Sequence, residues 1–422
     1  MDVTDIDLLD RDTFTRGIPH DWFTYLRANA PVFKHPEPDG PGFWVVTKLA
    51  DVAALNRDAQ TYSSDQARGG VVGLEELAPE AKEQQAAMFD AGGKLMLTID
   101  PPEHTRYRKL VNKGFTPRMI GALEPHIRAM SIRIIEEGLA KGECDFVVDV
   151  AAELPLQAIA ELLGVPLEDR HKLFDWSNRM IGSEDPEYAV SEESTQGAQV
   201  EMFLYANELA ERRRQQPADD IVTALLGAEV DGDRLSEMDF NLFFLLLSVA
   251  GNETTRNAIA HGMNAFLENP DQYQLLVEDP SLINVATEEI LRWATPVMYF
   301  RRNVVADIEL HGHQLAAGDK VSLWYISANR DEDHFTEPFR FDIRRSPNDH
   351  VAFGGGGPHF CLGSSLARME IRVLFEELTR RVPRMAAIGP PDRLRSNFIG
   401  GIKHLPVDLR PTMTTAGPLS AP

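Results

Sequence analysis

Phe353-Gly-Gly-Gly-Gly-Pro-His-Phe-Cys361-Leu-Gly363 sets one of only two cysteines in a glycine-rich loop, directly before a helical pattern over Ser364 to Arg381. A thiolate there meets the positive end of the helix dipole and N–H groups that the glycines leave unobstructed. That lowers its pKa and suits it to be a lone anionic ligand on a metal. The stretch also fits a buried structural cysteine beside a flexible loop, since free cysteines are usually buried. It lacks the Gly-Lys-Ser/Thr ending of a phosphate loop. A second motif, Ala250-Gly-Asn-Glu-Thr-Thr255, sits inside a helical pattern from Asp239 to Glu268 that Pro270 stops. Glycine and threonine cost stability in mid-helix, and Thr254 can bond the Ala250 carbonyl and bend the chain. A local opening there would hold oxygen and water. Glu253 beside Thr254 pairs an acid with an alcohol, which can pass protons to a reacting oxygen. A kink without chemistry fits the same residues.

Weaker signals surround these two. Glu289 and Arg292 share a helix face at i, i+3, a spacing also common in surface ion pairs. His104 and Arg108, after Asp100-Pro-Pro, share a face at i, i+4 and could together grip a carboxylate. His311-Gly-His313 reads as a hairpin turn rather than a metal site. Asp231-Gly-Asp233 lacks the other calcium-loop ligands and reads as a tight turn. Arg212 to Arg214 fit a solvated helix end, and Cys144 sits in a polar run as an ordinary cysteine.

The elements that must position these residues are mostly helical. Helix periodicity covers 104–113, 118–140, 151–164, 168–181, 194–215, 235–268 and 281–293; short strands are expected at 43–47, 304–310 and 321–325. The 422 residues contain no linker or repeat and are 43% hydrophobic, which implies one large mainly α domain with a small β-rich part. Residues 1–10 and 411–422 look unanchored. Two cysteines imply a reducing compartment. The acidic opening does not resemble a signal peptide and the longest apolar run, Phe243 to Ala250, is too short to span a bilayer, so a cytoplasmic protein is expected. The net charge of −23 argues against nucleic acid. Arg106, Arg108, Lys109, Lys113 and Arg118 could still form one basic face, or simply solvated helix charges.

Taken together, the motifs resemble the cytochrome P450 family, the haem-thiolate monooxygenases, from about residue 20 to 410. The resemblance implies the family's prism-like fold and haem b, with Cys361 as axial ligand and Phe353 packed beside it. It implies His104, Arg108, Arg302 and His359 as partners of the haem propionates. Thr254 and Glu253 take the acid–alcohol role, with glutamate where many relatives have aspartate. Glu289, Arg292 and Arg340 match the family's buried charge trio. The spacing from Phe353 to Cys361 is one residue longer than the commonest pattern, and Gly354 to Gly357 can absorb it because glycine accepts positive φ.

Apolar residues that would otherwise be plain core fall in segments that line the family's distal cavity: Leu246, Val249, Ala250, Val297, Met298, Phe300, Phe398 and Ile399. Gln66 to Leu95 matches the entrance region. Longer stretches, among them Glu153 to Gly164, Phe174 to Asn178, Glu184 to Tyr188, Trp293 to Pro296 and Gly400 to His404, resemble the actinobacterial steroid side-chain terminal hydroxylases. They are somewhat less similar to the branch that ω-hydroxylates methyl-branched fatty acids and isoprenoid lipids. The resemblance implies a lipid or steroid substrate, O2, and electrons from a ferredoxin and its reductase, since no flavin or dinucleotide domain is present. A peroxide-driven peroxygenase fits less well with the Glu253-Thr254 pair. A haem-based sensor or lipid carrier would bind ligand without turnover.

Overall fold

The computed structural model describes residues 1–76, 93–112, 115, 117–181, 185–188, 191–229, 232 and 234–410. Lys113, Asp231, Asp233, Glu184, the tail at 411–422 and most of the expected entrance at 66–95 lie outside them.

Ser236 opens the longest helix by accepting from the Asp239 N–H, while the Asp239 carboxylate accepts from the Ser236 N–H. This reciprocal cap satisfies two orphan donors. In chain order the helices are α1 (Arg11–Arg16), α2 (His20–Asn29), α3 (Leu49–Arg57), α4 (Glu103–Asn112), α5 (Pro117–Lys141), α6 (Glu153–Leu163) and α7 (Arg170–Ile181). There follow α8 (Glu192–Gln215), α9 (Ile221–Leu226), the long α10 (Glu237–Glu268), α11 (Pro270–Glu278), α12 (Ile283–Ala294), α13 (Tyr325–Ala328) and α14 (Ser364–Arg381). The fold is mainly α, as expected. Helix α10 spans 32 residues, about 48 Å. It packs on α6, α7 and α8, and it also meets α12 and α14. Pro270 stops it and becomes the first residue of α11. The expected local opening is not present: α10 stays helical through Gly251. Gly251 instead serves packing, since a Cβ there would lie 3.0 Å from Ile159 of α6.

The strands are short: β1 (Val32–His35), β2 (Phe43–Val46), β3 (Tyr62–Ser63), β4 (Glu143–Asp145), β5 (Tyr299–Val304), β6 (Ile308–Leu310), β7 (His313–Leu315) and β8 (Lys320–Trp324). A five-stranded sheet runs β1-β2-β8-β5-β3, with only β2 and β8 parallel. The turn at His311 joins β6 to β7 as a hairpin, and the His311 ring meets Asp51 at 2.9 Å rather than a second histidine. Side chains alternate along β5, so Phe300 and Arg302 point to one face. The first ten residues, expected to be unanchored, are packed. Ile6 and Leu8 are buried, the Leu8 N–H donates to His35 Nε2 at 3.0 Å, and Asn397 donates to the Leu8 carbonyl at 2.8 Å. No helix among the described residues is long and apolar enough to cross a membrane.

Candidate active site

The loop before α14 is shaped by its glycines. Gly354 to Gly357 all have positive φ, between 65° and 105°. Gly357 also has no room for a side chain, because a Cβ would lie 2.4 Å from the Asn56 carbonyl oxygen. The Cys361 N–H donates to the Phe353 carbonyl at 3.1 Å and closes the loop. The Phe353 ring carries the Arg368 guanidinium 4.5 Å from its centroid.

Cys361 faces a cavity between this loop and α10. Burial pushes its thiol pKa up, opposed by the Gly363 and Ser364 N–H groups and by Arg108 and Arg368. The expected lowering therefore has the right contributors but does not win without a metal cation, which would remove the proton outright. Cys144 lies away from the cavity, in β4.

A set of cationic and donor groups lines the same cavity: His104 and Arg108 of α4, Arg302 of β5, His359 of the loop, and Asn56 and Tyr325. The rings of His104 and His359 lie 4.1 Å apart. Burial, then Arg108, lowers the His104 pKa to about 4; burial, then His104, Arg302 and Arg108, lowers His359 to about 2. Arg302 donates to Asn56 Oδ1 at 2.9 Å, and Tyr325 donates to the same oxygen at 3.1 Å. Both ring nitrogens of His104 and Nε2 of His359 are buried without a hydrogen-bond partner. Unpaired buried polar atoms are costly, so these mark where an anionic group belongs.

Thr254, Ala250 and Leu246 present one face of α10 to the cavity, joined by Val297 and Phe300. The Thr254 hydroxyl donates to the Ala250 carbonyl at 2.7 Å. Its lone pairs remain free to accept. Glu253 is turned away: it is buried, does not line the cavity, and forms an ion pair with Arg256. Four expected wall residues are also absent from the lining. Val249 projects from another side of α10. Met298 is fully buried in the core around the sheet. Phe398 packs behind Phe300, ring centroids 5.7 Å apart, and Ile399 pairs with Val297 as an isolated bridge. The cavity adds residues with no sequence signal of their own, among them Asn56, Met96, Phe115, Tyr325 and Glu370. Ile159 joins them from one of the distinctive stretches.

The charge trio behind the loop needs one correction. Glu289 accepts two hydrogen bonds from Arg292, each at 2.8 Å, as expected. Its second guanidinium is Arg345, with Nε 3.1 Å from Oε2. The Arg340 side chain instead points outward to Glu337, and only its carbonyl oxygen joins the cluster, accepting from Arg345 at 2.9 Å.

A family model for cytochrome P450 matches residues 191–381. The chain is 45% identical over 410 residues to a steroid C26-monooxygenase of Rhodococcus jostii, covering 96% of this chain and 84% of the relative. The chain belongs to the cytochrome P450 family. This P450 is also 42% identical over 395 residues to a methyl-branched lipid omega-hydroxylase of Mycobacterium bovis, covering 91% of this chain and 90% of that one. Among solved structures, a Mycobacterium marinum cytochrome P450, CYP268A2, in complex with pseudoionone superposes with a TM-score of 0.87. It is 40% identical, with 95% of this chain and 98% of that one covered. The protein is a P450 monooxygenase, and its cofactor is haem b with a cysteine thiolate as axial ligand. The cavity fits that group: it holds one cysteine, an apolar wall, and unpaired donors beside Arg108 and Arg302 where two carboxylates would sit.

Proposed function

We propose that this P450 hydroxylates the terminal methyl carbon of a cholesterol or cholestenone side chain. The observation that carries the reading is the 45% identity to a steroid C26-monooxygenase over nearly the whole chain. Haem b, when bound, supplies oxygen activation, and electron donation from a thiolate favours O–O cleavage. In this reading Cys361 is the axial ligand, with Phe353 packed beside its loop. His104, Arg108, Arg302 and His359 hold the two propionates, relieving the unpaired donors. Leu246, Ala250, Val297 and Phe300 exclude water and steer an aliphatic chain end-on toward the reacting centre. Thr254 accepts a hydrogen bond on the cavity side, and Glu253 supplies the protons behind it. Glu289, Arg292 and Arg345 pin the core beneath the ligand loop. Ferredoxin and its reductase deliver the electrons to a cytoplasmic, single-domain enzyme.

A second reading, ω-hydroxylation of methyl-branched lipids, is favoured by the 42% identity to a lipid hydroxylase. The walls argue for the steroid: among the described residues, the cations lining the cavity are the ones assigned to the propionates, so none is left over for a fatty-acid carboxylate. Optical titration of the ferric protein with cholest-4-en-3-one, with phytanic acid as comparison, tests this. A tighter high-spin Soret shift with the steroid is expected. A shift with the branched acid alone would replace the steroid reading with the lipid one.

A further inference from the structure

On the side of α10 turned from the cavity, a cluster of buried polar atoms has no hydrogen-bond partner. It comprises both amide atoms of Asn252, Glu253 Oε1, Arg256 Nε, Asn257 Nδ2 and, on α7, Ser177 Oγ. Residues 252, 253, 256 and 257 form one continuous helix face, while 250, 251, 254, 255 and 258 line the cavity. Buried polar atoms without a protein partner are ordinarily satisfied by ordered water. Arg256 stands at the centre. Its Nη2 donates to Glu253 Oε2, its Nη1 donates to Asn178 Oδ1 at 3.0 Å, and its guanidinium lies 5.8 Å from the Phe174 ring centroid. Arg256 is therefore fixed from α7 as well as from its own helix.

Burial pushes the Tyr188 pKa up to about 12, and the charges of Arg256, Glu187, Glu253 and Lys403 all act on it. Lys403 lies 2.9 Å from Glu187 and 3.2 Å from Asp185, and Glu187 meets the His404 ring at 2.9 Å. Glu187 and His404 are both well exposed to solvent.

We propose that Arg256, anchored by Asn178, is the positioning residue for Glu253: it holds the carboxylate on a hydrated face of α10, one residue from Thr254, from which protons are drawn. This rests on reading Glu253 and Thr254 as the proton path. Each proton that Glu253 gives up toward the Thr254 side is replaced by one from water on the far face, so the carboxyl ends each turnover as it began. Burial raises the Glu253 pKa, and the Arg256 charge and hydrogen bond oppose that rise. Without its partner, Glu253 is a buried acid that no longer cycles, and electrons leave as reduced oxygen instead of product.

The test compares Arg256→Gln, Arg256→Lys, Asn178→Ala and Thr254→Ala in the haem-loaded enzyme driven by a ferredoxin and reductase. Product formed per electron pair consumed and the solvent isotope effect on product formation are measured. Arg256→Gln should lower the yield several-fold and raise the isotope effect, with steroid affinity unchanged. Arg256→Lys should recover part of both, and Asn178→Ala should fall between wild type and Arg256→Gln. Wild-type yield and isotope effect in both Arg256→Gln and Asn178→Ala would overturn the assignment. If Arg256→Gln fails to fold, Asn178→Ala decides by the same two readouts. Uncoupling in Thr254→Ala alone would sink the Arg256 role and keep the relay; full coupling in Thr254→Ala would sink the relay itself.

Discussion

Arg345 Nε lies 3.1 Å from Glu289 Oε2, a contact between residues 56 positions apart in sequence. It ties the segment after α13 to α12, beneath the ligand loop. Asn348 donates to the same carboxylate oxygen at 3.1 Å, and the Asp342 N–H donates to the other at 3.0 Å. Glu289 thus gathers two guanidinium groups and two further donors at a fully buried point.

Removing that carboxylate leaves buried guanidinium groups uncompensated. Glu289→Gln should cost about 3–5 kcal/mol and abolish accumulation of haem-loaded protein. Arg345→Ala should be strongly destabilising as well. Arg340→Ala should cost under about 1 kcal/mol, because its side chain makes only an exposed ion pair. Thermal unfolding of the three variants checks the ranking.

Thr254→Ala keeps α10 intact, since the hydroxyl bonds only its own helix. Haem and steroid binding should be unchanged, while product per electron consumed falls at least about tenfold. Undiminished coupling would contradict the relay.

The propionate assignment predicts faster haem loss in Arg302→Leu and His104→Ala than in wild type. Arg302 is 4% exposed and His104 1% exposed, so each contributes its contacts away from water. Haem transfer to an excess acceptor protein measures the rate. Equal rates in wild type and both variants would remove these residues from the site.

Glu288 accepts from Arg368 Nε at 2.6 Å and meets the His350 ring at 3.1 Å. Burial raises its pKa, but hydrogen bonds from His350 and Arg368 outweigh that and hold it at about 2, against an ordinary 4.5. A depressed carboxylate contributes stability above its unfolded pKa and loses it as pH falls through the folded one. Wild type should therefore lose about 1–2 kcal/mol between pH 4.5 and 2 through this group, allowing for partial solvent screening. Glu288→Gln should lack that segment of the acid-unfolding profile. Arg368 also sits over Phe353, so the variant should loosen the ligand loop.

The long helices were legible because their apolar periodicity runs for three turns or more. Helices α1, α2, α3, α9, α11 and α13 lie outside the stretches expected to be helical: they are short, and tertiary packing stabilises them more than local propensity does. Cys361 is legible because a cysteine in a glycine-rich loop directly before a helix is an unusual combination; Arg108 shares a helix face with His104, and Arg302 is named only through the family resemblance. Arg340 stands in the expected trio through the motif match alone, and a loop of Pro, Phe and Arg has no period that tells which guanidinium turns inward. Met298 stands among the expected wall residues because an apolar run does not reveal which face each residue takes; the alternation in β5 decides for Phe300 and Arg302. Asn56 and Tyr325 carry no local signal, since their role exists only once α3 and α13 meet Arg302.

Turnover of cholest-4-en-3-one by the haem-loaded protein with a ferredoxin, its reductase and dioxygen tests the central claim most directly. The account predicts a product carrying one oxygen at the terminal side-chain methyl carbon, with no such product from Cys361→Ser. Oxygen placed on the ring system, or undiminished product from Cys361→Ser, would contradict it.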